Sequence, residues 1–303
     1  MIIYLHLLVP LFHTIRCAAT EIPVSRNGEG EWLINATLLS PSHQINRTIL
    51  GRLTLDSWHV VHDPIFSQNY SIQFLSGGDD SYTEPIVART DFVYQQTTPR
   101  FGFGPSSRVL TRYQSVMFSQ PYTLNSSVYL GSMSRENFSN FCIPESVATI
   151  QTGSLWRVIL GTEPRDPVNE FPLHPMRIGG LPGNIIAEIP PSTLYILCSL
   201  LEFFGAEGAS WDDSRTHFTN CPETIVYSLP NIRLNFGHTE IVLDPSDYLS
   251  FSYGGLVQTC QIRFYASSFG GQSNIPRFNP IMIPNIHVRV TNDDEIQLCD
   301  PVD

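Results

Sequence analysis

The sequence predicts a mostly β protein, and three observations carry that expectation. Turn formers are frequent, with 23 Pro and 20 Gly in 303 residues. Aromatics make up 11% of the chain and Val, Ile and Thr are common, a composition that suits short strands joined by turns better than long helices. A hydrophobic fraction of 42% is enough for a substantial core, so the chain is not of the disordered class.

Charge narrows the partners. The formal net charge is −11, and all 17 basic residues are Arg, with no Lys. Nucleic-acid affinity rests on clustered cations, so a nucleic-acid partner is not expected. At the N-terminus, Ile2 to Phe12 is apolar and too short to cross a bilayer, and Arg16-Cys17-Ala18-Ala19 supplies small residues for cleavage after Ala19. Residues 1–19 therefore read as a secretory signal peptide, and no other stretch approaches the length of a membrane span. Five Asn-X-Ser/Thr sequons, at Asn35, Asn46, Asn69, Asn125 and Asn137, fit passage through the secretory pathway and mark glycosylation positions. Loss of Cys17 with the leader leaves Cys142, Cys198, Cys221, Cys260 and Cys299, an odd number, so at least one thiol stays free or pairs outside the chain.

Along the chain, Trp32, Ile34 and Leu38-Leu39 mark a strand, Ser40-Pro41-Ser42 a turn, and Ile45 to Leu50 the return strand. Tyr70-Ser71-Ile72-Gln73-Phe74 precedes a Gly77-Gly78 turn. Arg100-Phe101-Gly102-Phe103-Gly104, Met117-Phe118-Ser119, Val128-Tyr129-Leu130-Gly131 and Leu155-Trp156-Arg157-Val158 follow. The second half holds Asn220-Cys221, Leu229-Pro230-Asn231-Ile232 and Leu243-Asp244-Pro245-Ser246-Asp247-Tyr248, and it closes on two strand-like runs around the polar Asn292-Asp293-Asp294.

In that order these segments resemble the pepsin-like aspartic proteases. The resemblance runs from Trp32 to Val302 and is most specific after Asn220. It implies a bilobal fold of two β-rich lobes flanking a cleft, divided as 20–150 and 151–303. It implies a Cys221–Cys260 disulfide and a Cys142–Cys299 bridge in the sheet between the lobes; Cys198, on an apolar face of the helix Thr193–Phe204, reads as a buried free thiol. Active members hold two carboxylates about 3 Å apart that share one proton, each in an Asp-Thr/Ser-Gly loop. This chain has neither tripeptide. The resemblance places Gly51 at the first catalytic position, followed by Arg52 and Leu53, with Ser57-Trp58-His59-Val60 resembling the end of the motif. Glu188 is the nearest acid to the second, in a segment where Ile189-Pro190-Pro191 replaces the Thr-Gly-Thr run. Phe74 takes the place of the flap tyrosine. The family also carries a basic prosegment, for which only the short stretch between Ala19 and Trp32 is available.

The expectation is a secreted pseudoprotease that binds a protein or peptide ligand through a cleft lined by Gly51, Phe74 and Glu188. The rivals are a divergent endopeptidase using Glu188 and an unrelated secreted β-rich surface protein. No cofactor or metal is expected: His59 and His62 lie three apart, which on a strand places them on opposite faces. Asp212-Asp213 and Asp293-Asp294-Glu295 read as solvated turn acids.

Overall fold

The computed structural model describes residues 19–27, 30–40, 45–57, 70–75, 86–88, 99–120, 126–161, 174–212, 215–237, 239–254, 257–267 and 275–302. Strands dominate them, as the composition predicts. The largest sheet has eleven strands, with the path Ile86–Ala88, Tyr70–Phe74, Trp32–Ser40, Thr20–Arg26, Ser127–Leu130, Ser115–Ser119, His287–Thr291, Glu295–Cys299, Ala148–Gln151. Ile45–Thr54 pairs with Trp32–Ser40 over eight residues, from Leu33 opposite Arg52 to Ser40 opposite Ile45. This register puts Trp32, Ile34, Ala36 and Leu38 inward and Asn35 outward, the period-2 pattern of a half-buried strand.

The closing hairpin, His287–Thr291 with Glu295–Cys299, lies in the same sheet as strands from the first half, between Ser115–Ser119 and Ala148–Gln151. The Cys142–Cys299 disulfide spans 157 residues and fixes that closure beside Met117, Met133 and Phe138. Trp32 adds a second tie, its indole N–H donating to the Ile281 carbonyl at 2.8 Å.

Three four-stranded sheets hold most of the described strands of the second half. Leu155–Leu160 pairs with Ile232–Asn235, which pairs with Glu240–Leu243. Ala187–Ile189 lies between Arg277–Phe278 and Phe264–Ala266. Arg215–Asn220 and Leu249–Gly254 flank Val257–Ile262, and Cys221–Cys260 closes that sheet with the pairing the resemblance implied. The helix Pro191–Phe203 starts with Pro at its first position, where the missing N–H costs nothing. It buries Leu194, Leu197, Cys198 and Leu201 at the i, i+3, i+4, i+7 spacing. Cys198 is the free, buried cysteine, with its thiol 3.5 Å from the Thr216 hydroxyl oxygen.

One buried base in the large sheet makes stability pH-dependent. His287 is 4% exposed, its Nδ1 accepts the Gln120 N–H at 3.4 Å, and burial lowers its pKa from 6.5 to about 4. The unfolded chain binds the proton near pH 6.5 and the folded chain resists it. His287 thus costs nothing above pH 6.5 and destabilises increasingly as pH falls from 6.5 to about 4. Urea titrations across that window should show wild type losing more stability than His287→Gln. Parallel curves for the two proteins would reject the assignment.

Candidate functional site

The site is built where the first half's longest return strand ends. Ile45–Thr54 runs parallel to Arg100–Gly102, with Leu53 opposite Phe101 and Thr54 opposite Gly102. Beyond the ladder the two chains stay bonded: the Phe103 N–H donates to Thr54 O at 2.8 Å and the Gly104 N–H to Asp56 O at 3.0 Å. Leu53 and Leu55 point into the core, which turns Asp56 the other way. Gly104 permits the approach, since a Cβ there would lie 1.7 Å from the Leu55 carbonyl oxygen. Around Asp56, the Thr54 hydroxyl donates to Oδ2 at 3.1 Å and accepts the Asp56 N–H at 3.3 Å, while the Ser57 hydroxyl donates to Pro105 O at 2.8 Å. A partly exposed carboxylate is thereby held in one orientation by its own loop.

Two parallel pairs occur among the described residues of the second half, and Ala187–Ile189 with Phe264–Ala266 is one of them. Arg177–Ile178 runs parallel to Arg277–Phe278, and the Gly179 N–H donates to Phe278 O at 3.1 Å. The loop that follows reads Gly179-Gly180-Leu181-Pro182-Gly183-Asn184 and contains no acid. It meets the first loop directly, because a Cβ on Gly180 would stand 2.9 Å from Asp56 Oδ1 and 3.0 Å from Oδ2. Two strand-to-loop junctions thus converge, one bringing a carboxylate and the other a bare backbone.

The next acid, Glu188, sits on the strand Ala187–Ile189 and is fully engaged. Arg277 donates to its Oε1 from Nη2 at 2.7 Å and from Nε at 3.0 Å, and the Arg277 backbone N–H donates to Oε2 at 2.8 Å. The remaining arm of the guanidinium, Nη1, donates to Gly180 O at 3.1 Å. Arg277 therefore links Glu188 to the same glycine that faces Asp56.

Three sequence expectations change. Gly51 lies inside the strand opposite Ile34, and it is glycine because a Cβ would come within 2.5 Å of the Phe101 ring; the loop facing the other half carries Asp56, five residues later. Trp58 follows only two residues after Asp56 in the sequence. The available signal was Asp56-Ser57 directly after the alternating Leu53 and Leu55. Glu188, the nearest acid to the second position, is one half of an ion pair with Arg277. Phe74 is fully buried, its ring centroid 5.7 Å from that of Phe101 and 5.1 Å from that of Phe103, so it belongs to the core and not to a ligand-facing surface. His59, His62, Asp63, Asn69 and Asn125 lie outside the described residues, whereas Asn35, Asn46 and Asn137 are exposed.

Two solved structures superpose on this fold. The aspartic proteinase from Irpex lacteus superposes with a TM-score of 0.64 over 94% of this chain and 98% of its own, at 10% identity. The fold is pepsin-like. Conglutin gamma, a basic 7S globulin from lupine seeds, superposes with a TM-score of 0.55 over 94% of this chain and 95% of its own, at 8% identity. No family model and no curated protein sequence matches the chain.

Proposed function

We propose that this chain is a secreted, glycosylated pepsin-fold protein that binds a protein or peptide partner without cleaving it. The observation that carries the reading is the contact between Asp56 and Gly180. Peptide hydrolysis on this fold needs one carboxylate to take a proton from water while a second gives one to the carbonyl. Asp56 alone, steadied by the Thr54 hydroxyl, can do one of these tasks, and Glu188 is held by Arg277. Secretion is supported by the apolar leader sequence, by the two disulfides and by exposed asparagines at three sequons. Among the described residues no helix is long and apolar enough to cross a membrane.

The test is digestion of a denatured protein substrate at acid pH, with and without a statine-type inhibitor. No cleavage is expected from the purified chain. Gly180→Asp should also be inactive, because its Cβ would press on the Asp56 carboxyl group before any dyad could form. Inhibitor-sensitive hydrolysis that vanishes in Asp56→Asn would overturn the proposal and favour a divergent endopeptidase.

A further inference from the structure

A groove of about 620 Å³ runs beside the strand Glu240–Leu243. Among the described residues that strand is the terminal member of its four-stranded sheet. In the hairpin, the Phe236 N–H donates to Thr239 O at 2.8 Å, and Leu234 and Ile232 stand opposite Ile241 and Leu243. Bonded pairs alternate in an antiparallel ladder, so residues 239, 241 and 243 bond inward. The N–H and C=O groups of Glu240 and Val242 consequently point out from the sheet edge. Such an edge is a template for one more strand. Val242 is 48% exposed on it, and Ile241 lines the groove.

Charge selects the kind of strand. Glu145, Glu240, Asp244, Asp247 and Asp300 all line the groove, and no basic residue does so among its described lining. Arg233 occupies Glu240 at 2.6 Å, and Asp247 accepts the Asp244 N–H at 2.9 Å. Glu145 and Asp300 stand exposed in the lining of the same groove. We propose that an extended segment of a partner protein, alternating apolar and basic side chains, adds as an outer strand to Glu240–Leu243, with its cations toward Glu145 and Asp300. The edge is four residues long, or about 13 Å, enough for a segment of roughly four to six residues. This surface is separate from the Asp56 loop and does not depend on the reading of that loop.

The probe is a blocked hexapeptide of alternating valine and arginine, titrated into the full chain by calorimetry. Two comparators accompany it: the same peptide with glutamate for arginine, and an arginine version N-methylated at alternate residues, which keeps its charge but cannot form one edge of a ladder. The arginine peptide should bind at least about tenfold more tightly than either comparator, and the double variant Glu145→Gln, Asp300→Asn should weaken it by about tenfold. Exchange protection should appear at residues 240–243 when the peptide is bound. Failure of the arginine peptide to bind overturns the proposal. So does equal binding of the N-methylated form, which would mean charge attraction only, and so does full affinity in the double variant.

Discussion

Gly104→Ala is expected to cost on the order of 3–5 kcal/mol and to yield little soluble protein. The added Cβ would sit 1.7 Å from the Leu55 carbonyl oxygen and 2.4 Å from its carbon. Both are backbone atoms, so no side-chain rotation relieves the contact. The Leu55–Ser57 loop must move, and the bonds from Phe103 N–H to Thr54 and from Gly104 N–H to Asp56 go with it. The control is Gly179→Ala in the matching loop, whose new Cβ would meet the Arg277 side chain at an ordinary 3.5 Å. It should stay within about 1 kcal/mol of wild type in urea unfolding. Similar stabilities for the two variants would mean that the loops do not pack as described.

Arg263→Met should destabilise by about 3–5 kcal/mol although it replaces a cation with an apolar chain of similar length. Arg263 is 8% exposed and donates to three carbonyls from three segments: Nε to Asn184 O at 3.0 Å, Nη1 to Asp247 O at 2.7 Å, and Nη2 to Met282 O. Burial is the main reason its pKa falls to about 10, with nearby Arg26 adding to the drop and Asp247 opposing it. It remains charged at neutral pH. Methionine would leave three acceptors without a donor, each worth about 1–3 kcal/mol if buried. Lysine would satisfy at most part of the set, since one ammonium cannot reproduce a planar fork. Asn184 ends the loop that faces Asp56, so hydrogen exchange in residues 179–186 should quicken in Arg263→Met before global unfolding. An unchanged exchange pattern would separate Arg263 from the site.

Both variants bear on the candidate site because its geometry is held from behind. Asp56 is positioned by Gly104 on one side, and the loop across from it is anchored through Arg263 and Arg277. Neither arginine is adjacent in sequence to the glycine-rich loop it stabilises. Substitutions at either can therefore change the meeting of the two loops without touching them.

Much of the fold was legible because it rests on local chemistry. The alternation in Trp32–Ser40 is written in a few neighbouring residues, and the resemblance placed the helix from Thr193 and the closing hairpin around Asp293-Asp294. The Cys221–Cys260 and Cys142–Cys299 pairings followed from the family resemblance, as spacing alone does not choose partners among five cysteines. Composition, charge and the sequons were likewise set by the sequence alone.

What the sequence left open was every relation that depends on a close approach between distant segments. Gly51 and Gly104 look alike as letters, yet one makes room for the Phe101 ring and the other for the Leu55 backbone. Glu188 reads as an available acid until Arg277, 89 residues away, is seen to hold both its oxygens. Asp56 gains its place only when Gly180 is found against its carboxyl group. Side-chain type and local period are properties of a stretch of chain, whereas the space beside a glycine and the partner of a carboxylate are fixed only when strands from both halves pack together, and it is those contacts that define the site.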